Sequence, residues 1–129
     1  MSADSLIYAR LATIGAVAGR VSPGLRRAGT VLPCLVYAVD SDDPIAALSA
    51  ETTRRASITV RCIAETLTSC VTIAADVATA THAATWTSGA STAIRARHVG
   101  SSSGLLADSD PGDLDDTREI TVTIELFHN

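Results

Sequence analysis

Lysine is absent from this chain, and all ten basic residues are arginine. Codon usage in a GC-rich genome accounts for such a bias in the first instance. Its chemical consequence is that every cationic side chain makes planar, forked ion pairs of the kind enriched at protein interfaces. Aromatic residues are also scarce, 3% of a chain that is 47% hydrophobic. The core must therefore be assembled from Ala, Val, Ile and Leu, with many modest contacts and few large anchors. An acidic balance of −4 combined with few aromatics argues against specific nucleic-acid binding. Cysteine is limited to Cys34, Cys62 and Cys70, an odd number without C-x-x-C spacing, so reduced, buried thiols are expected rather than a disulfide framework. No run of about 20 apolar residues is present to span a membrane. The apolar N-terminal stretch is preceded by Asp4 and interrupted by Arg10, which does not fit a secretory signal. The expected setting is a reducing cytoplasm.

What is present is a length suited to one domain, residues 1–129, able to bury a core without staples. Charge is divided unevenly along it. Residues 1–100 hold nine Arg against seven acids, a net of +2, whereas residues 101–129 hold Arg118 against seven acids, a net of −6.

Periodicity supplies the elements. Asp4 or Ser5 can cap a first helix, whose apolar face is Ile7, Leu11, Ile14 and Ala18, with Gly19 as a stop. Residues 20–31 read as a loop broken by Pro23, Gly24 and Gly29. Pro33 opens a strand that is apolar from Cys34 to Val39 and is therefore expected to be buried on both faces. Residues 40–55 read as a long connection, beginning with Asp40, Asp42, Asp43 and Pro44 and ending with Arg54 and Arg55. Long connections are often functional. A second strand alternates, with Ile58, Val60 and Cys62 on one face and Ser57, Thr59 and Arg61 on the other. Thr66 caps a second helix with the stripe Leu67, Val71, Ala74, Val77 and Thr81. Threonine is a weak helix former, so packing must hold this helix. Trp86 follows as a lid on the core's edge. A third strand covers Ile94 to Val99, and the last places Ile120, Val122, Ile124 and Leu126 inward. The order α-β-β-α-β-β predicts an α+β fold, an antiparallel sheet with two helices packed on one face.

Each chemical motif in the chain has a plainer reading. Gly100-Ser101-Ser102-Ser103-Gly104 matches the G-x-S-x-G pattern, but a nucleophile elbow needs a strand-to-helix turn. Its flanks here read as strand and loop, and a flexible connection is expected. The stretch Asp108 to Glu119 resembles a calcium loop, with acids at positions one, three and twelve. Glycine falls at position five instead of six, and Pro111 occupies position four, so a solvated acidic loop fits better. His82, His98 and His128 lack the close pairing of zinc sites and are expected to be partly exposed. No catalytic residue, metal ligand or cofactor site is expected.

The ordered run from Ile7 to Thr81 resembles a family of small phage tail-completion proteins, the tail terminators and tail-to-head joining proteins of long-tailed bacteriophages and of gene transfer agents. Its carriers are Arg20-Val21, Leu32-Pro33 leading into Val36-Tyr37, Ile58 to Cys62 feeding Ala64-Glu65-Thr66, and an acidic stretch from Asp113 to Thr117 before a final alternating strand. Cys34 and Ile63 depart from the pattern, standing where the family often has aromatic residues. The resemblance implies a structural virion protein without enzymatic activity. It implies a homo-oligomeric ring, usually of six subunits, at the head-proximal end of the tail tube. Its partners would be the major tail tube protein and the head-tail connector or stopper, with assembly in the bacterial host's cytoplasm. A neck or connector adaptor, or less readily a small ligand-binding domain, is the alternative. Rings need two different patches that meet. The charge split suggests the acids Asp108, Asp110, Asp113, Asp115 and Asp116 as one patch and Arg54 with Arg55 as the other.

Overall fold

The computed structural model describes residues 3–17, 19–24, 32–44, 53–88, 91–105 and 118–128. Two helices and six strands follow in the order α1 (Ala3–Leu11), a short 3-10 turn (Gly15–Val17), β1 (Val21–Pro23), β2 (Cys34–Pro44), β3 (Arg54–Ala64), α2 (Leu67–Thr81), β4 (Trp86–Ser88), β5 (Ser91–Leu105) and β6 (Arg118–His128). The strands form one sheet in the order β1-β2-β3-β6-β5-β4, antiparallel except for the parallel β1–β2 pair. The α+β class expected from the pattern is the class observed. The sheet is mixed rather than wholly antiparallel, because Val21–Pro23, read as loop, pairs with Leu35–Tyr37.

Strands β3 and β6 occupy the centre and pair along their full length, from Arg54 opposite His128 to Ala64 opposite Arg118. Their alternation places Ala56, Ile58, Val60, Cys62, Ile120, Val122, Ile124 and Leu126 on one face, all buried. Both helices pack there: Leu6, Ile7 and Leu11 of α1 and Cys70, Ile73 and Val77 of α2 join the same core. β2 is buried on both faces from Cys34 to Tyr37, short of the expected limit at Val39, since Ala38 is exposed and Val39 only half-buried. Leu35 and Tyr37 face the helices, while Cys34 and Val36 form a smaller cluster with Ile63 on the opposite face. Cys34 and Ile63 are direct cross-strand partners.

Four readings are corrected by the backbone. The first helix ends at Leu11 instead of near Gly19. From there the backbone bonds tighten to Thr13 N–H on Arg10 O and Ile14 N–H on Leu11 O, while the Thr13 hydroxyl also donates to Arg10 O. A side chain competing for backbone carbonyls favours a helix end. The long 40–55 connection shrinks to 45–53, because Ser41 to Pro44 continue the ladder against Ser57 to Arg54 beyond a bulge at Asp40. β5 runs on through Gly100 to Leu105, paired with Thr123 to Arg118, so the G-x-S-x-G stretch is strand, not an elbow.

The fourth correction concerns α2. Thr66 caps it as expected, accepting the Ser69 N–H at 3.2 Å. Its buried stripe, however, is Cys70, Ile73, Val77 and Thr81, and Val71 is 53% exposed. The expected stripe holds at Val77 and Thr81, and at Ala74, which packs against the core half-buried; it fails at Val71, and the side chain of Leu67 lies outside the described residues. Periodicity could not separate the two stripes while cysteine counted as weakly apolar. The threonines fold their hydroxyls onto the preceding turn, Thr72 donating to Thr68 O at 3.0 Å and Thr81 to Val77 O at 2.8 Å, which lets Thr81 sit fully buried with its hydroxyl satisfied. Arg10 ties the helices together. Its Nε–H donates to the Ala80 carbonyl at 2.6 Å, and its guanidinium lies 5.4 Å from the centre of the Trp86 ring. Trp86 in turn donates its indole N–H to Leu6 O at 2.8 Å.

All three cysteines are reduced and buried. Burial, with Cys70, Glu119 and Cys34 adding to it, pushes the Cys62 thiol up to about 12. Burial also raises Cys70, whose Sγ–H donates to Arg118 O at 3.1 Å. Chemical unfolding of two variants tests the α2 register. Ile73→Ala should cost about 2–5 kcal/mol as a buried truncation, and Val71→Ala less than about 0.5 kcal/mol as an exposed one. The reverse order would restore the stripe read from the sequence.

Candidate functional site

Most charged residues of β2, β3 and β5 lie towards one end of the sheet, where Pro44, Arg54, His128 and Ala93 share neighbouring rungs. At this end the two faces differ. On the helix-bearing face Asp42, Arg54 and His128 form a cluster. The Arg54 Nε–H donates to Asp42 Oδ1 at 3.1 Å, and an Arg54 terminal N–H donates to the Asp42 carbonyl at 2.6 Å. His128 Nε2 lies 2.9 Å from the same carboxylate oxygen. The forked arginine grips the side chain and the backbone of Asp42 together, which pins the outer end of β2 to β3. Burial works to raise the Asp42 carboxyl, but the bonds from His128 and Arg54 outweigh it and hold the group below the usual carboxylate range.

His128 is fully buried, contrary to the partial exposure expected for each histidine. The reason is its position: it continues the inward alternation of Ile124 and Leu126 by one more step, and a carboxylate from β2 meets it there. That alternation was the available signal, and the residue's polarity concealed it. Without exposed surface its imidazole cannot meet a substrate from solvent, so the cluster acts as a clasp for three strands.

The opposite face at this end presents Asp43, Arg55, Phe127 and Arg95 along one row of cross-strand partners, with Glu125 and Arg97 in the next. Arg55 and Arg95 are exposed. Arg97 pairs with Glu125 at 3.2 Å, and further along the face Arg61 Nε pairs with Glu119 at 2.5 Å. The Glu119 carboxylate, which a calcium loop would need at its twelfth position, is thus bonded to an arginine within a strand. Of the residues singled out from the sequence, Arg54 and Arg55 are adjacent but face opposite sides of β3, one bonded and one exposed. Asp108, Asp110, Asp113, Asp115 and Asp116 lie outside the described residues, joined to the sheet through Leu105 and Arg118 at its other end.

Among the described residues no group of His, Cys, Asp and Glu is placed to hold a metal ion, and no helix is long and apolar enough to cross a membrane. An open depression beside α2 is lined by Ala78, Thr79, His82 and His98. His82 Nδ1 there accepts the His98 backbone N–H at 3.2 Å, which leaves little converging polarity for a small ligand.

No protein-family model matches the chain, and no curated protein matches it. Its structure is similar to that of a chain in the solved virion of a native gene transfer agent particle. The TM-score is 0.65 and the identity 13%, over 95% of this chain and 90% of that one. The two share a fold.

The clasp makes a pH prediction. Asp42 titrates lower in the folded chain than in the unfolded one, so its contribution is present above the unfolded value, about 4, and is lost as pH falls through the folded value. Asp42→Asn should lower stability by about 1 kcal/mol at neutral pH, and the gap from wild type should narrow and close in acid. Urea titrations across that range would check it. A gap that does not change with pH would remove the charge from the explanation.

Proposed function

We propose that the chain is a structural virion protein that forms a ring at the head-proximal end of a tail tube, ends the tube's growth and joins it to the head connector. The observation that carries this reading is the fold shared with a gene transfer agent virion chain over nearly its full length. The ordered sequence features from Arg20-Val21 to Thr66 and the acidic stretch before β6 support it independently.

On this reading the protein does no covalent chemistry, and its work is interface physics. The subunit offers a rigid sheet whose β2–β3 hairpin projects as far as Pro44 and Arg54, braced by Asp42 and His128. Residues 45–53 at its tip are the part that docks on the tube end. Two different patches on each subunit meet around the ring, as a closed rotation requires. Partners are further copies of the chain, the tube protein on one side and the connector or stopper on the other.

Particles produced without this gene test the proposal by negative-stain microscopy. Overlong tubes separated from filled heads are the expected result. Tubes of normal length that fail to join heads would transfer the chain to the neck adaptors. Intact, functional particles would overturn both readings.

A further inference from the structure

The open face of the sheet has a polarity that the proposed ring leaves unassigned. Its arginines fall into two groups. Arg61 and Arg97 are bonded to Glu119 and Glu125, and Arg54, on the other face, is bonded to Asp42. Arg55 and Arg95, by contrast, make no ion pair with any described residue and are exposed on either side of Phe127, the cross-strand partner of both. Asp43 stands opposite Arg55 in the ladder, and no ion pair joins them either. Two forked cations without an ion-pair partner among the described residues, flanking a half-buried ring, form a site suited to carboxylates.

The chain's own concentration of carboxylates is Asp108, Asp110, Asp113, Asp115 and Asp116, in the connection between Leu105 and Arg118. Those two anchors are paired with each other at the far end of the sheet. Arg118 and Phe127 are nine residue steps apart along β6, roughly 30 Å of strand. A connection of this length, fixed at both ends, extends its tip no more than about 23 Å even when fully stretched. Asp113, Asp115 and Asp116 lie nearer the anchor and fall shorter still. Only with backbone and side chains stretched to their limit would the acids approach the arginines of their own molecule, a conformation that costs the segment nearly all its freedom.

We infer that residues 106–117 of one copy dock on the Arg55–Phe127–Arg95 corner of the next, so that subunits join head to tail along the sheet's open face. Joined head to tail, the interface is heterologous, because the acidic end of each subunit meets the arginine end of the next and is not met in return by that same neighbour. Such an interface closes into a ring or propagates. The inference rests on the ring reading and specifies it. It also assigns different work to neighbouring arginines: Arg55 binds the next subunit, and Arg54 holds the hairpin.

Light scattering on two variants and their mixture tests it. One variant is Arg55→Glu with Arg95→Glu, and the other is Asp113→Arg with Asp115→Arg and Asp116→Arg. Circular dichroism should find both folded, because the arginine pair is exposed and unbonded and the acidic set lies in a connection. Wild type is expected to be an oligomer that dissociates as salt rises. Each variant alone should be monomeric. A mixture should form a one-to-one dimer and no more, since only one intact acidic segment meets one intact corner. If wild type and both variants assemble alike, the inference falls and the ring reading stands. If only the arginine variant dissociates, the corner meets another surface of the neighbouring copy, and the acidic segment is overturned as its occupant. If wild type stays monomeric at the highest concentration reachable, the interface is also overturned, and the ring reading is decided by the particles made without the gene.

Discussion

The pairing of β3 with β6 is the constraint on which the rest of the molecule depends. The two strands are eleven residues each and fully in register, so a slip of one residue would turn every core side chain out to solvent. Neither strand carries a large aromatic residue on its inner face. The core is a dense array of Ile, Val, Leu, Ala and Cys, in which each side chain contributes about 1–3 kcal/mol by burial. Helix α2, poor in helix propensity, is held by Cys70, Ile73 and Val77 against this array. Helix α1 is held by Leu6, Ile7 and Leu11 and fastened by Arg10 and Trp86.

A sheet covered by helices on one face leaves the other face to polar side chains. Thr59, Arg61, Thr121, Thr123 and Glu125 alternate with the core residues, and cross-strand ion pairs neutralise most of the charge they bring. The exceptions are concentrated at the end where β5 and β6 meet the β2–β3 hairpin. There the clasp of Asp42, Arg54 and His128 orders the helix-bearing face and braces the strands from which the exposed arginines of the other face project. The same rigidity that stabilises the sheet end makes it usable as a docking surface.

Much of the fold was legible in the sequence because period-two alternation is nearly unbroken in β3 and β6. The reading failed where backbone pairing overrode local composition. Asp40 to Pro44 look like a turn, yet Arg54 and His128 supply the partners that keep Asp42 in a strand. Gly100 to Gly104 look like a flexible connection, yet β6 offers an unpaired edge that the backbone takes regardless of side chain. For the site, the doublet Arg54-Arg55 was visible, but the opposite facing of its members follows only from the ladder. Arg95 and Phe127 carry no joint signal in the sequence, since they are forty and seventy-two positions from Arg55 and become its neighbours only through β6. The buried state of His128 was concealed because its partner, Asp42, is distant in the chain.

A reconstruction of the assembled particle by electron cryomicroscopy, at a resolution that traces this chain, tests the central claim most directly. The account predicts a closed ring of copies between tube and connector, with the acidic segment of each copy lying on Arg55, Phe127 and Arg95 of its neighbour and the β2–β3 hairpins directed at the tube. A ring whose copies meet through other surfaces would contradict the interface. A particle in which the chain occupies no position between tail tube and head would contradict the function itself.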